Sequence, residues 1–409
     1  MSTQQKKLLY LVHRIPYPPN KGDKIRSFNI LKFLAQHYQI YLGTFVDDVD
    51  DWKYLSELEG YCEEIYAIPL KSFISKLRSL SALFGSDPMT VPYYKDKKLA
   101  DWVETQKNRH DFDAVLIFSS AMAQYVTGSD WNDQHRVIDF VDVDSDKWQQ
   151  YAQKKPWPMS WIYRREAETL CEYDKQIADK FAASLFVSEK EAALFASFPG
   201  VDATKVSHAD NGVDIEYFHP ENKYINPYNE DERVIVFTGA MDYWANADAV
   251  HWFATQVFPE VKKIHDNARF YIVGSHPSRQ VTELSALPGV TVTGAVQEIR
   301  PYIAHAKLAV APMRIARGVQ NKVLEAMAMA RAVVVTPQGF DGIVGEAGKE
   351  VVVAETAQDF AKAVCQFLNN PNSANDVGML ARKHIEQRYT WGNCLQTLLP
   401  MMERQHESA

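Results

Sequence analysis

A chain of 409 residues, 46% hydrophobic and 23% charged, is long enough for two soluble globular domains, each with its own core. Its formal net charge of −8 points away from general affinity for polyanions, although local basic patches are compatible with it, and no nucleic-acid partner is expected. The four cysteines, Cys62, Cys171, Cys365 and Cys394, are scattered without metal-ligand spacing, as reduced core thiols of a cytosolic protein are.

Met1–Lys7 leads straight into a strand-length apolar run, and no apolar stretch approaches membrane-spanning length. The expectation is a cytoplasmic protein, neither secreted nor transmembrane. Lys7–His13 is a short apolar run fit for a buried parallel strand, ended by the turn-rich Ile15-Pro-Tyr-Pro-Pro-Asn-Lys-Gly22. A helix is predicted over Asp23–Gln36. Lys21 and Gly22 stand at its start, where a strand–loop–helix unit presents backbone donors, and Lys24 and Arg26 add positive charge. The loop lacks G-x-G-x-x-G, so it reads equally as a ligand loop or a plain connection. His13 ends the strand where sites gather, or is simply structural.

Strand-like runs recur at Gln39–Phe45, Glu64–Leu70, Ala114–Phe118, Val137–Val141 and Ser184–Val187, separated by helical stretches such as Asp51–Gly60, Lys95–Asn108 and Ser160–Phe181. This alternation is that of an α/β protein. Between two of these runs, Lys71–Phe84 read as a helix gathers Phe73, Ile74, Leu77, Leu80 and Phe84 on one side, with Lys71 and Arg78 opposite and Lys76 near the edge. Such a stripe suits a membrane interface or packing onto the sheet. Asp139-Phe-Val-Asp-Val-Asp-Ser145 places carboxylates at a strand's C-terminal end. Asp142 and Asp144 are candidates for a general base, for caps of the next helix, or, less readily, for a divalent-metal site.

Val206-Ser-His-Ala-Asp-Asn-Gly-Val-Asp214 and the polar stretch to about Asp231 mark a domain boundary, set between residues 215 and 216. The alternation restarts at Arg233–Gly239, Arg269–Gly274, Val290–Gly294, Leu308–Pro312, Ala332–Thr336 and Val351–Val353. Gly239, Gly274 and Gly294 end strands, where backbone can approach a ligand closely, and Asn246 is placed to cap the helix that follows Gly239. A helix is predicted over Gln320–Met329, behind a loop carrying Gly318. Lys322 and Glu325 share one face near its N-terminus, beside unpaired N–H groups and the positive dipole end. A cation, free donors and a carboxylate one turn deeper suit a nucleotide diphosphate, the carboxylate accepting from ribose hydroxyls; an ordinary amphipathic helix fits the same residues.

The second half resembles the C-terminal domain of family 4 glycosyltransferases of the GT-B fold. The likeness lies in Asn211-Gly-Val-Asp214 with Phe218 and Pro220, in Tyr271-Ile-Val-Gly274, and in Lys322-Val-Leu-Glu-Ala-Met-Ala328 before Val333-Val-Val335, and it extends over nearly the whole chain. Met241-Asp-Tyr-Trp-Ala-Asn246, Ala316-Arg-Gly-Val-Gln-Asn-Lys322 and Phe118-Ser-Ser-Ala-Met-Ala-Gln-Tyr125 look like the sugar transferases associated with PEP-CTERM/exosortase exopolysaccharide loci.

The resemblance implies two Rossmann-like domains facing across a cleft: an acceptor domain over 1–215, with a C-terminal helix of about 385–409 packing back on it, and a nucleotide-sugar donor domain over 216–384. It implies a glycosyltransferase acting on a glycan or polyprenyl-linked acceptor, with retention of configuration and neither metal nor other cofactor. Glu325 matches the second glutamate of the family's E-x7-E motif, and Lys322 a frequent lysine three residues before it. The first glutamate is absent; Arg317 stands eight positions before Glu325 and could carry diphosphate charge instead. Gly22 matches the glycine loop near the transferring phosphate, and Asp142 or Asp144 lies near a frequent catalytic position. With Gly239, Asn246, Gly294, Gly318 and Asn321 these make the expected donor site, while Phe73, Leu77, Arg78 and Phe84 make the expected acceptor or membrane face. Attachment at the inner face of the cell membrane is compatible with this. A non-catalytic two-lobed binding protein and a GT-B-related epimerase or phosphorylase are the alternatives on the same architecture.

Overall fold

The computed structural model describes residues 5–404 apart from Arg317, and only the backbone of Ser81 and Phe84. The chain forms two compact units, Met1–Asp210 with Leu395–Ala409, and Asn211–Cys394.

In the first unit, β1 (Lys6–Val12), β2 (Tyr38–Val46), β3 (Glu64–Pro69), β4 (Ala114–Phe118), β5 (Arg136–Val141), β6 (Ala183–Phe186) and β7 (Val206–His208) form one sheet in the order β3-β2-β1-β4-β5-β6-β7. Every pairing is parallel. Successive residues Leu8 to Leu11 are fully buried although they point alternately to the two faces, so both faces are covered. The helices that matter below are α1 (Gly22–Leu34), α2 (Ser72–Ser81), α3 (Asp144–Lys154) and α4 (Met159–Lys180).

The second unit repeats the plan with β8 (Arg233–Thr238), β9 (Ala268–Val273), β10 (Val290–Gly294), β11 (Leu308–Ala311), β12 (Val333–Val335) and β13 (Val352–Val353), in the order β10-β9-β8-β11-β12-β13. Its helices include α5 (Trp244–Trp252), α6 (Asn321–Ala328) and α7 (Pro371–Arg388). The fold is thus α/β with two parallel-sheet domains.

The units divide at positions a few residues away from those read in the sequence. Residues 211–215 belong to the second unit because Val213 N–H donates to the Tyr389 carbonyl at 2.7 Å, and Gly212 packs so closely on the chain that a Cβ there would lie 2.6 Å from Trp391 N. Helix α7 stays in that unit too. Buried Arg382 donates to the carbonyls of Ala328 (2.7 Å), Phe218 (2.8 Å) and Ile215 (3.1 Å), closing the end of α6. Only the segment from Leu395 returns to the first unit, where Lys6 pairs with Glu403 at 2.7 Å and the Met401 carbonyl lies 2.7 Å from His135 Nε2.

Candidate functional site

In the second unit the strand order reverses between β8 and β11, and loops leaving the C-terminal ends of such strands diverge to open a crevice. Gly239, directly after β8, has φ +154°, and a Cβ on it would lie 2.8 Å from Asn246 Nδ2. A Cβ on Gly274 would lie 1.6 Å from the Gly239 carbonyl oxygen, so glycine at 274 is what lets the two loops pack backbone to backbone. Asn246 does not cap α5, whose N-cap is Tyr243. It is buried in the first turn, donating from Nδ2 to the Ala240 carbonyl at 2.8 Å and accepting at Oδ1 from Lys322 Nζ at 3.0 Å.

Lys322 comes from the other loop. It is the second residue of α6, and its ammonium also reaches Gln320 Oε1 at 3.2 Å and lies 5.4 Å from the centre of the Phe237 ring. One cation therefore joins the loop after β8 to the loop after β11. Helix α6 has no side-chain cap at Gln320, and among the described residues Asn321 Oδ1 is buried without a partner, so this helix start presents polar groups to a ligand. Glu325 follows one turn deeper. Among the described residues its carboxylate accepts no hydrogen bond and forms no ion pair. Burial raises the Glu325 carboxyl to about 7 against the pull of Lys322, and lowers the Lys322 ammonium to about 8 against the pull of Glu325. Both keep some solvent contact.

Three further residues form a cluster that was not singled out in the sequence, and Tyr217 among them lies near enough to Glu325 to feel its charge. Arg300 stacks on Tyr217, 3.6 Å from the ring centre, and donates to the Tyr217 carbonyl at 3.1 Å; the Tyr217 hydroxyl lies 3.3 Å from Glu298 Oε1. Tyr217 and Glu298 are 81 positions apart, so no local pattern announces the cluster. Gly318 lies in the loop before α6 with φ +66°. Gly294 has φ +70° and open space where a Cβ would stand, and it ends β10, two strands from β8. Arg317 lies outside the described residues.

In the first unit the reversal falls between β1 and β4. Gly22 opens α1, which lacks a side-chain cap, and no atom lies within 4 Å of where its Cβ would be. Lys24 and Arg26 do not add charge to this opening. Both are buried, Lys24 paired with Asp51 at 2.5 Å and Arg26 with Asp139 at 2.8 Å. Val141 at the end of β5 has φ +72°, a costly conformation for a β-branched residue, and turns the chain into Asp142 and Asp144. Neither aspartate caps α3, whose N-cap is Val143. Both accept from Lys147 Nζ, at 2.6 and 3.2 Å, and these two carboxylates hold the lysine's pKa up in spite of its burial. The alternation did not show this partner, although Lys147 stands three residues after Asp144 and shares its helix face.

His13 stacks on Phe118 with ring centres 5.8 Å apart, and its Nε2 lies 3.4 Å from Asp23 Oδ2. Asp23 stays low because His13 and Arg14 outweigh its burial. Helix α2 corrects the packing reading of its stripe. Phe73 and Leu77 face outward, whereas Arg78 is half-buried and donates to the Lys95 carbonyl; the Phe84 side chain lies outside the described residues. Among the described residues no group of three or more His, Cys, Asp or Glu is arranged to hold a metal ion, and no helix is long and apolar enough to cross a membrane.

Residues 232–370 match the family model described as glycosyl transferases group 1. The matched segment holds Gly239, Asn246, Lys322 and Glu325. No curated protein matches the sequence. Solved structures similar to the chain include a glycosyltransferase from Rickettsia africae, with a TM-score of 0.67 at 14% identity over 99% of this chain and 100% of that one. Anabaena HepE in complex with UDP follows with a TM-score of 0.66 at 14% identity, over 97% and 99% of the two chains. WaaG, a glycosyltransferase involved in lipopolysaccharide biosynthesis, has a TM-score of 0.65 at 15% identity over 96% and 99%. The fold is that of GT-B glycosyltransferases.

Proposed function

We propose that the chain is a glycosyltransferase of family 4 type. Its second unit binds a nucleotide sugar, and its first unit takes a glycan or polyprenyl-linked acceptor. The observation that carries the reading is Lys322 at the uncapped start of α6, bonded to the glycine loop after β8, with Glu325 one turn deeper and its carboxylate open. HepE, of the same fold, is described in complex with UDP and with UDP-glucose, which supports a nucleoside diphosphate at this helix start. The α6 N–H groups and Lys322 would meet the diphosphate, and Glu325 would accept from ribose hydroxyls.

Transfer breaks the bond between the anomeric carbon and the diphosphate oxygen, which leaves with the electron pair, and forms a bond to an acceptor hydroxyl. Lys322 and the helix dipole stabilise the departing charge. Asp142, which accepts from Lys147 Nζ at 2.6 Å, is the proposed receiver of the hydroxyl proton. Retention of configuration, a role in exopolysaccharide or other cell-surface glycan synthesis of the PEP-CTERM-associated kind, and work at the inner face of the cell membrane complete the reading. Incubation with nucleotide sugars and an acceptor extract should release nucleoside diphosphate. Binding without release would leave a non-catalytic two-lobed binder.

Because protein cations supply the charge at the diphosphate, turnover should persist in chelator; loss in EDTA with recovery on adding magnesium or manganese would make Asp142 and Asp144 metal ligands instead. A pH dependence follows from Lys322. Its ammonium, lowered to about 8, is charged below that pH and neutral above it, so affinity for a nucleoside diphosphate should fall as pH rises through about 8. Binding there should take up a proton, seen as a calorimetric enthalpy that changes with the buffer's ionisation heat. Identical affinity at pH 7 and pH 9.5 would remove Lys322 from the site.

A further inference from the structure

The N-terminal edge of the first unit's sheet, opposite the edge that carries Asp142, holds a cavity of about 400 Å³. Lys180 lines it from the end of α4, Lys205 from the turn before β7, His135 from the position before β5, and Arg404 from the segment that returns at Leu395. Ligands of such sheets gather at the C-terminal ends of the strands, so a cluster of cations at the other end has no part in the donor site.

These charges lack counter-ions. Lys205 donates to the Asp179 carbonyl at 2.7 Å and Arg404 to the Asp133 carbonyl at 2.8 Å, and among the described residues neither they nor Lys180 form an ion pair. Asp133 is the one acid on the wall among the described residues. Asp202, which feels Lys205, already accepts from Thr204 N–H at 3.0 Å and Thr204 Oγ1 at 2.6 Å.

A fourth cation lies behind the wall. Arg136 is 3% exposed and donates to the carbonyls of Val126 (2.9 Å) and Lys180 (3.0 Å), with its guanidinium carbon 5.1 Å from the centre of the Phe181 ring that lines the cavity. Among the described residues its Nε has no partner and no carboxylate pairs with it; Asp130, whose field reaches it, is taken by Lys107. A buried guanidinium without a counter-charge is costly, and its field adds to that of the three cations on the wall. Gln134, also on the wall, has a buried side-chain oxygen without a partner among the described residues, an amide that can turn its NH₂ group toward an acceptor.

We propose that this cavity binds a small multivalent anion bearing phosphoryl groups, held between Lys180, Lys205 and Arg404, and that the bound anion clamps the returning segment to the first unit. The cavity of about 400 Å³ is more than a single oxyanion fills, given roughly 30 Å³ for each water in the liquid, and cations from three separate segments call for more than one negative charge. The clamp follows from the connectivity. Arg404 and Met401, whose carbonyl lies 2.7 Å from His135 Nε2, belong to the returning segment, whereas Lys180, Lys205 and His135 belong to the body of the unit. The inference does not depend on the transferase reading, because the cavity lies within the first unit and the donor residues in the second.

The test is amide hydrogen exchange of the full chain with inorganic pyrophosphate, against sodium chloride at matched ionic strength. Pyrophosphate should slow exchange over residues 132–135 and 398–404, about tenfold at ten times its dissociation constant, since opening must first release the anion. A hexose bisphosphate run beside it separates an organic from an inorganic source, and protection by either supports the site. Lys180→Ala with Lys205→Ala should abolish the protection, an unchanged melting temperature showing that the variant is folded. Lys322→Ala, in the other unit, should retain it. No slowing by either compound, slowing that chloride reproduces, or slowing that survives in the double alanine variant or vanishes in Lys322→Ala overturns the proposal.

Discussion

Glu325→Ala should raise the dissociation constant for a nucleoside diphosphate about tenfold to a hundredfold, since hydrogen bonds to a charged acceptor contribute about 1.5–3 kcal/mol. The effect is expected from the ligand side, because among the described residues the carboxylate has no hydrogen-bond partner to leave behind. Stability should barely fall, and removing a carboxyl whose burial raises it to about 7 relieves some of the cost of keeping it charged. Titration calorimetry of the folded variant decides the matter. Unchanged affinity ends the donor-site reading, and affinity lost only for inorganic pyrophosphate would move Glu325 from the ribose to the phosphates. Lys322→Ala serves as the contrasting variant, because it also unties Asn246 from α6 and should slow the departure of the diphosphate as leaving group in transfer as well as weaken binding of the free nucleotide.

Asp139→Ala should destabilise the first unit by about 3–5 kcal/mol, the cost of stranding a buried charge. Asp139 receives Arg26 Nε at 2.8 Å and Val141 N–H at 2.9 Å in a fully buried setting, and it holds the β5 turn that presents Asp142. Hydrogen exchange of β1 and β4 amides would read the local opening free energy. A loss under about 1 kcal/mol would show that water reaches Arg26. Pairing the change with Arg26→Met should recover much of the loss, as an apolar replacement leaves no charge to strand.

The strands were legible because β1, β4 and β8 are covered on both faces and so appear as unbroken apolar runs, which few other elements of their length require. Lys322 and Glu325 were legible as a pair because three residues of helix place them on one face. What the pair touches was not. Asn246 and Lys322 are 76 positions apart, and only the reversal of strand order between β8 and β11 brings their loops together. Lys24 and Arg26 show the opposite failure, since a charged letter does not tell whether its partner waits 27 or 113 residues away in a core. In α2 the period was legible, but it left the direction of the apolar face open between a membrane interface and the sheet. Periodicity defines two faces of a helix, and it is the packing of Ser75 and Ser79 that decides which of them turns inward.

The return of the chain at Leu395 makes the first unit discontinuous in sequence, with the whole second unit inserted between Asp210 and Leu395. During synthesis from the N-terminus, the sheet of the first unit is available long before Met401 and Glu403, which reach His135 and Lys6 at the starts of two of its interior strands. The inserted unit can finish folding while its host still lacks its last segment. A chimera that exchanges second units between relatives of this architecture therefore requires two junctions, one before Asn211 and one after Cys394. A single cut near residue 211 would give each hybrid a closing segment matched to the wrong host.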